Sequence, residues 1–475
     1  MLIENAAFIG LDLGTTGLKA AGLFDGRVFA SVSDKMEYIK DGGFIEYDAT
    51  VFYGKIARLI QSIAAKLPKG IACKGICVSS ASGNTLLCDK NGRPLTRAIS
   101  WMDSRYADEA EEITGSLSRQ EMYHLTGWPF FGAMTLAHLA WLRTHKKGLY
   151  QNADMACMSA DYVNYRLTGT RQTDTSTATT SYLQDQLGRR WHKPFVSALE
   201  LDGKLPRLCD TGNLAGALTS VAADETGLKP GTPVFLGSFD HPSAARGAGT
   251  LRPGDLLLSC GTSWVSFLPC GDRSKLLELE LLCDPFLAEK GIWAGMKSIP
   301  GVSVKINDAL KYALPPNERS NARFNALAEL CPAGAGGLLI NPMKAPDAAF
   351  LESFGPERAA RSLMEGTAYL LRKNINDLSN AGMRIDSVTM VGGPSLSSTW
   401  MQIVCDVLSM PVKTVNGAYA GAVGAALIAA VSVGAYANIE IAAKHSAGIP
   451  VYKEPNPRHS AVYAQGYSRF IAECL

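Results

Sequence analysis

The chain has 475 residues, of which 47% are hydrophobic and 19% charged, so it is long enough to bury two hydrophobic cores. Its 46 basic and 44 acidic side chains leave a formal charge of +2. No strong net field follows, so neither nucleic acid nor an anionic membrane surface is expected as a partner.

Cysteine usage and the apolar segments give three further expectations. The 11 cysteines are scattered, and Cys73 and Cys77 form an isolated C-x3-C pair, so we expect free thiols, no zinc site and a reduced, cytoplasmic protein. Residues 1–5 lack the basic and apolar regions of a signal peptide. The Ala- and Gly-rich stretch 418–437 predicts a tightly packed interior helix rather than a membrane span.

The first 80 residues predict a mixed α/β sheet that starts antiparallel. Apolar runs at 7–13, 18–23 and 28–32 are typical of short strands, and turn residues separate them. Apolar side chains at helical spacing over 50–67 predict a helix, and a fifth element at 74–79 is again strand-like. This order differs from a simple Rossmann unit.

Most of the segment from 100 to 235 is helical by its apolar pattern, clearest at 136–142 and 161–167. A strand over 234–237 follows. Residues 256–259 then repeat the beginning of the chain, an apolar strand that leads into a Gly-Thr-hydroxyl turn. This duplication predicts a domain boundary near 245–255, with domains 1–248 and 249–475. A long helix at 358–378 and a strand at 387–391 complete the second half.

The two repeated turns are candidate phosphate-binding sites. Glycine lets an anion approach the backbone closely, successive N–H groups form a concave nest, and the adjacent hydroxyl groups add donors. A single such turn is usually structural, but two at equivalent places are stronger evidence. The turns consist of Gly14, Thr15 and Thr16, and of Gly261, Thr262 and Ser263.

Two charged residues accompany the first turn. Asp12 is placed to hold Mg²⁺ next to phosphates, and Lys19 is a candidate for offsetting phosphate charge. Neither turn has the glycine and lysine spacing of a Walker A motif or the three glycines of a dinucleotide fingerprint.

Three further segments carry polar or glycine residues, and each allows one functional and one purely structural interpretation. Asp240 is predicted to end an apolar strand and suits either a general base or a turn or helix cap. Trp101 and Asp103 suit sugar stacking and hydroxyl binding, or a core tryptophan beside a surface ion pair. Gly392 and Gly393 leave bare backbone for an adenosine, or simply open a helix.

Taken in order, these segments resemble the motifs of the FGGY family of carbohydrate kinases, and the match extends from Phe8 to about Ala437. The resemblance implies two actin-like, ribonuclease H-like domains with a cleft between them. It also implies that Mg-ATP gives its γ-phosphoryl group to a sugar hydroxyl, with Asp240 as the catalytic aspartate. The motif segments are 9–16, 101–105, 237–240, 259–263, 390–393 and the helix residues Glu365 and Gly366.

By this resemblance the N-terminal domain binds the sugar and the C-terminal domain binds ATP. The relatives carry other residue pairs after Val78 and Ser79 and after the catalytic aspartate, so xylulose and glycerol are not carried over as substrates. A homodimer is one of the oligomeric states that the sequence leaves open. The candidate sugar-binding residues are Ser82, Asn84, Trp101, Asp103, Asp240 and His241.

Three other functions fit these residues less well than a carbohydrate kinase does. An actin-like chaperone or filament ATPase would not need the segment 101–105 or Asp240. A catalytically idle sensor of sugar and ATP would not need Asp12 and two phosphate turns. A dinucleotide-dependent oxidoreductase is the weakest, because its fingerprint glycines are missing.

Overall fold

The structure is a computed structural model that describes residues 6–104, 107–344, 351 and 353–475. The residues 1–5, Arg105 of the tryptophan segment, and the pair Ala345 and Pro346 therefore lie outside the described residues.

The chain forms two compact units, and these are not two continuous halves. The first unit contains 1–251, 271–295 and 419–448, and the second contains 252–270, 296–418 and 449–475. The first division falls close to the predicted boundary at 248. The single cut into 1–248 and 249–475 nevertheless differs from this arrangement, because two later segments pack with the first unit.

The first unit is built on the predicted mixed sheet. Strand Ala6–Leu13 pairs antiparallel with Gly17–Phe24 and parallel with Ala72–Ser80. The predicted order of three strands, a helix and a strand is confirmed, with two short strands inserted before the helix. The strand order in this sheet is Leu214–Ala217, Pro233–Phe239, Ala72–Ser80, Ala6–Leu13, Gly17–Phe24 and Arg27–Lys35.

The helix Ala420–Ser432, predicted from the Ala- and Gly-rich stretch, packs on this sheet. At the crossing with strand Ala6–Leu13, a Cβ atom on Gly10 would lie 1.9 Å from the carbonyl oxygen of Ala422. Only glycine fits at such a distance, and the small side chains of the helix permit the contact. This packing joins 419–448 to the first unit. Among the described residues, no helix is long and apolar enough to cross a membrane.

Most of the other α-helices of the first unit lie between residues 107 and 226, where the predicted helices at 136–142 and 161–167 are found. The other α-helices of this unit are Ala49–Ala64, Ala107–Thr114, Arg119–Thr126, Met134–His145, Lys147–Gln151, Ser159–Thr168, Thr175–Thr179, Lys193–Ala198, Ser220–Thr226, Asp240–Ala248, Arg273–Glu278 and Ile439–Ser446.

The second unit has its own sheet. Strand Gly254–Cys260 pairs antiparallel with Trp264–Cys270 and parallel with Ile385–Gly392, which repeats the antiparallel and parallel pairing of Ala6–Leu13. Val412–Thr414 and Val451–Lys453 continue this sheet beyond Ile385–Gly392. The α-helices of this unit are Val302–Ala313, Asn321–Leu330, Pro356–Asn380, Ser398–Leu408 and Ser460–Cys474.

Two longer strands, Ile292–Ile299 and Leu282–Leu287, follow Trp264–Cys270 in the order of this seven-stranded sheet. The remaining strands are short. They are Ile39–Asp41, Phe44–Tyr47, Leu86–Cys88, Ala98–Ile99, Met155–Cys157, Gln172–Asp174, Gln184–Asp185, Arg190–Trp191 and Arg207–Cys209.

Candidate active site

The centre of the candidate site in the first unit is Asp12, near the end of strand Ala6–Leu13. Strand pairing sets Lys19 directly opposite Asp12 on one side and Ser79 on the other. Burial raises the pKa of the Asp12 carboxyl group to about 6, since the charge of Lys19 only partly offsets it and the nearby Asp240 raises it further. Because burial disfavours the charged form of Asp12, a cation bound next to it would stabilise the carboxylate.

Two helices begin beside Asp12. The helix Ala420–Ser432 comes so close that a Cβ atom on Gly421 would lie 2.5 Å from Oδ2 of Asp12. The helix Asp240–Ala248 begins with Asp240 itself, and its Ser243 hydroxyl donates to the carbonyl of Gly421 over 2.8 Å. The N-terminal end of a helix carries partial positive charge, so this region favours anionic groups.

The sequence predicted Asp240 at the end of a strand. The strand instead ends at Phe239, and Asp240 is the first residue of the following helix. Its Oδ1 accepts a hydrogen bond of 2.8 Å from the backbone N–H of His241 and lies 3.9 Å from the Nε2 atom of that side chain. The ring of His241 meets the ring of Phe239 edge-on at 5.3 Å. About a fifth of the Asp240 and His241 side chains remains exposed, 23% and 19%, so both are within reach of a ligand.

The first turn is held by two aromatic side chains. Gly14 N–H donates to the carbonyl of Gly17 over 3.1 Å and closes the turn. The hydroxyl group of Tyr38 donates to the carbonyl of Thr15 over 2.8 Å, and Trp101 Nε1–H donates to Thr15 Oγ1 over 3.1 Å. Trp101 thus contacts the phosphate turn with the same side chain that was predicted to stack on a sugar.

A small cavity of about 10 Å³ lies next to this turn, enough for roughly one water molecule. Its walls include Thr15, Trp101, Asn84, Tyr38 and Ser159, together with other residues of the first unit. The candidate sugar-binding residues Trp101 and Asn84 are therefore brought together with the first phosphate turn.

Two other candidate sugar-binding side chains, Ser82 and Asp103, are occupied by contacts within the protein. The Ser82 hydroxyl donates to the carbonyl of Thr177 over 3.1 Å, and only 4% of Ser82 is exposed. Asp103, with 1% exposed, accepts from the backbone N–H of Ile45 over 2.7 Å. These side chains hold the walls of the site, so their direct contact with a sugar stays a prediction.

Asn84 also shapes the wall through its own hydrogen bonds. Its Nδ2–H donates to Ser159 Oγ over 2.9 Å, and its Oδ1 accepts from the backbone N–H of Trp101 over 3.0 Å. Asn84 therefore fixes the position of Trp101. The sequence pattern contains no signal for Ser159 or Tyr38, because both come from distant segments.

In the second unit, the second turn is held by the start of the helix Val302–Ala313. Gly261 N–H donates to the carbonyl of Ser263 over 3.1 Å. The Ser263 hydroxyl oxygen accepts from Gly301 N–H over 2.9 Å, and the Ser303 hydroxyl donates to the carbonyl of Gly261 over 2.7 Å. The backbone N–H of Ser303 also donates to the carbonyl of Thr262.

The glycine pair of the second unit has two different roles. Gly392 has a φ of +94°, and a Cβ atom there would lie 2.2 Å from the carbonyl oxygen of Cys260, so the fold itself requires this glycine. A Cβ atom on Gly393 would meet no atom within 4 Å. Gly393 opens a 3-10 turn, Gly393–Leu396, and the α-helix begins only at Ser398. Only Gly393 thus presents open backbone.

The residues near Asp12 fit a magnesium ion. Mg²⁺ keeps several waters and takes one or two protein carboxylates together with phosphate oxygens. Asp12, whose charge is disfavoured by burial and by Asp240, supplies such a carboxylate. Within the described part of the chain, no group of three or more His, Cys, Asp or Glu side chains is placed to hold a metal ion.

Each unit has a strand that leads into a glycine-containing turn, and the first unit also has Asp12 and Asp240, so these features are those expected of an α/β enzyme that handles phosphate groups. The model of the FGGY family of carbohydrate kinases, N-terminal domain, matches residues 7–247, and the model of its C-terminal domain matches residues 335–433. The chain belongs to the FGGY family of carbohydrate kinases.

Curated relatives and solved structures agree with this assignment. The chain is 27% identical over 486 aligned residues to the xylulose kinase of Staphylococcus epidermidis, covering 98% of this chain and 95% of that protein. It is 25% identical to the autoinducer-2 kinase of Klebsiella pneumoniae, covering 97% and 92%. The crystal structure of xylulose kinase from Rhodospirillum rubrum aligns with a TM-score of 0.83 at 26% identity and covers 98% of both chains.

These proteins are kinases, and the chain is accordingly an ATP-dependent sugar kinase with the actin-like fold of this family. The predicted fold class and family are confirmed. No comparison tests the roles assigned to individual site residues.

Proposed function

We propose that this kinase transfers the γ-phosphoryl group of Mg-ATP to a hydroxyl group of a small ketopentose, ketohexose or polyol, with Asp240 as the general base. The observation that carries the proposal is the convergence of Asp12, Lys19 and Asp240 in the first unit. There the first phosphate turn follows Asp12 directly, and two helices begin nearby.

The chemistry follows from these positions. Asp240 accepts the proton of the sugar hydroxyl as that oxygen attacks phosphorus. Lys19 and the N–H groups of Thr15 and Thr16 bind phosphate oxygens, while Gly14 N–H closes the turn. Mg²⁺, held by Asp12, would offset phosphate charge when bound.

The second unit supplies the predicted nucleotide contacts. The turn Gly261, Thr262 and Ser263 binds further phosphate oxygens, and Gly393 leaves open backbone for the adenosine. The rigid anchoring of this turn by Gly301 and Ser303 supports a preorganised phosphate site. The assignment of sugar to the first domain and ATP to the second stays a prediction, as does a cytoplasmic location.

The sugar itself is best found by assay. Coupled ADP release with Mg-ATP would be measured against xylulose and other ketopentoses, ketohexoses, pentitols, glycerol, sugar acids and autoinducer-2. One compound that raises ADP release well above background supports the proposal and gives the substrate class. ATP binding without stimulation by any compound favours the idle sensor, and absence of ATP binding overturns the proposal.

Asp240→Asn tests the base. Removing a general base costs about 10²- to 10⁴-fold in turnover, while ATP binding should persist. Asp48→Asn is a matched control, because Asp48 also lies at the start of a helix, where its side chain accepts from Thr50 and Val51 N–H, and asparagine caps helices equally well. Near-normal turnover of Asp240→Asn would refute the assignment.

A further inference from the structure

The backbone just before Asp240 is held by a buried hydrogen-bond chain. The helix Asp240–Ala248 has Phe239 at its N-cap position and no side-chain cap there. Helices without a side-chain cap need another anchor for their first residues. Here the backbone N–H of Phe239 donates to Ser176 Oγ over 3.1 Å.

Ser176 is itself fixed by a carboxylate. Its hydroxyl donates to Asp284 Oδ2 over 2.7 Å, and both residues are 1% exposed. Since the single hydroxyl proton is used toward Asp284, the Ser176 oxygen is left as an acceptor for Phe239 N–H. The three groups therefore form one directed chain that ends at the residue preceding Asp240.

The same helix is tied down at its other end. Arg246, with 2% exposed, donates to Ser238 Oγ over 3.2 Å. The backbone N–H of Ser238 in turn donates to Ser79 Oγ over 3.3 Å. Asp240 thus stands between two fixed points, one on each side in the sequence.

Asp284 can accept the hydrogen bond from Ser176 in its buried and charged surroundings. Burial raises the pKa of Asp284 to about 7, while the hydrogen bond from Ser176 and the charge of Arg246 lower it and Asp174 raises it. A carboxyl group accepts the Ser176 proton in either protonation state. Asp284 belongs to 271–295, a segment that packs with the first unit although it follows the second phosphate turn in sequence.

We propose that Ser176 and Asp284 are positioning residues that hold the Phe239–Asp240 backbone so that the Asp240 carboxylate meets the sugar hydroxyl. This inference rests on the proposed function of Asp240 as the base. A displacement of about 1 Å at such a group costs about a hundredfold in rate.

Ser176→Ala should therefore lower kcat about tenfold or more while leaving the KM for ATP unchanged. Ser181→Ala is the matched control. Ser181 is also 1% exposed, and its hydroxyl likewise accepts from one backbone N–H, that of Leu183, and donates to one carbonyl, that of Ala178. Both variants should lose similar thermal stability, but Ser181→Ala should keep its kcat.

If Ser176→Ala does not fold, a second pair of variants tests the hydrogen-bond chain through Ser176 and Asp284. Asp284→Asn keeps an oxygen acceptor for Ser176 and should retain kcat within about threefold, whereas Asp284→Leu removes the acceptor and should lose about tenfold or more. Equal kcat in these two variants overturns the proposal.

The outcomes separate this inference from the proposed function. If the wild-type protein shows no sugar-stimulated ADP release, the proposed function and the inference both fail. If the wild type is active and Ser176→Ala matches Ser181→Ala in kcat, the positioning role alone is overturned.

Discussion

Gly421 lies against the Asp12 carboxylate, which is proposed to hold magnesium. Adding one methyl group at Gly421 should lower the activity strongly and the stability only slightly. In Gly421→Ala, the new Cβ atom would lie 2.5 Å from Oδ2 and 2.6 Å from Cγ of Asp12. The helix has little room to move away, because its backbone also touches the helix Asp240–Ala248, where a Cβ atom on Gly424 would lie 1.8 Å from the Ser243 carbonyl oxygen. The Asp12 side chain must therefore move.

The size of the effect follows from the distances. An ordinary contact of 3.4 Å or more requires the Asp12 carboxylate to move by about 1 Å. Such a displacement costs about a hundredfold in turnover. Overpacking costs about 1–3 kcal/mol, and replacing glycine by alanine in a helix returns about 1 kcal/mol, so the net loss of stability should be at most about 2 kcal/mol.

A matched glycine variant gives the control. Gly54 lies inside the helix Ala49–Ala64, and a Cβ atom there would be 3.6 Å from its nearest neighbour, an Arg58 side-chain nitrogen. Gly54→Ala should therefore gain about 1 kcal/mol in stability and keep its turnover.

Steady-state ADP release as a function of Mg²⁺ concentration, with the sugar that the panel identifies, would be measured alongside thermal unfolding. Gly421→Ala should show about a hundredfold lower kcat and a raised Mg²⁺ requirement. A folded Gly421→Ala protein with wild-type kcat and Mg²⁺ dependence would refute the role given to Asp12.

Three further predictions use other parts of the two units. Burial raises the pKa of Asp161 to about 7 in the folded protein against 3.8 without burial, so the folded state binds this proton more tightly. The free energy of unfolding should then fall as pH rises from about 4 to 7, and urea titrations should show a flatter pH dependence for Asp161→Asn. Gly392→Ala should lower the melting temperature because φ there is +94°, whereas Gly393→Ala should leave it unchanged and weaken ATP binding, as calorimetry would show. Tyr38→Phe removes the hydrogen bond to the Thr15 carbonyl, so it should lower the free energy of unfolding by about 1 kcal/mol and raise the KM for ATP up to about fivefold, as urea titration and steady-state kinetics would show.

The strands that the sequence predicts in the two sheets were recognisable because they are short apolar runs bounded by turn residues, whereas strands such as Leu214–Ala217 and Val412–Thr414 were not predicted. The run at 7–13 became Ala6–Leu13, and the run at 387–391 became Ile385–Gly392. The grouping of segments into units was not predictable in the same way. The helix Ala420–Ser432 has small side chains all round, so its sequence indicates close packing without naming the partner strand.

The candidate site divides along the same line. The sequence singled out Asp12 and the two turns because their signal is local, a strand followed by glycine and hydroxyl residues. It predicted Asp240 at the end of a strand, and the structure has it as the first residue of the next helix. Ser176 lies in the hydroxyl-rich run 173–181, whose composition was a usable signal, while its partner Asp284 comes from more than 100 residues away.

The two phosphate turns share a local pattern but differ in what holds them. The second is anchored to the start of a neighbouring helix in its own unit through Gly301 and Ser303. The first is held by the side chains of Tyr38 and Trp101, and Trp101 is also the candidate sugar platform. A sugar that stacked on Trp101, as proposed, would contact the side chain that donates to Thr15, while the second turn has no such connection among the contacts just named. If substrate binding is to change the rate of phosphoryl transfer, the change should enter through the first turn.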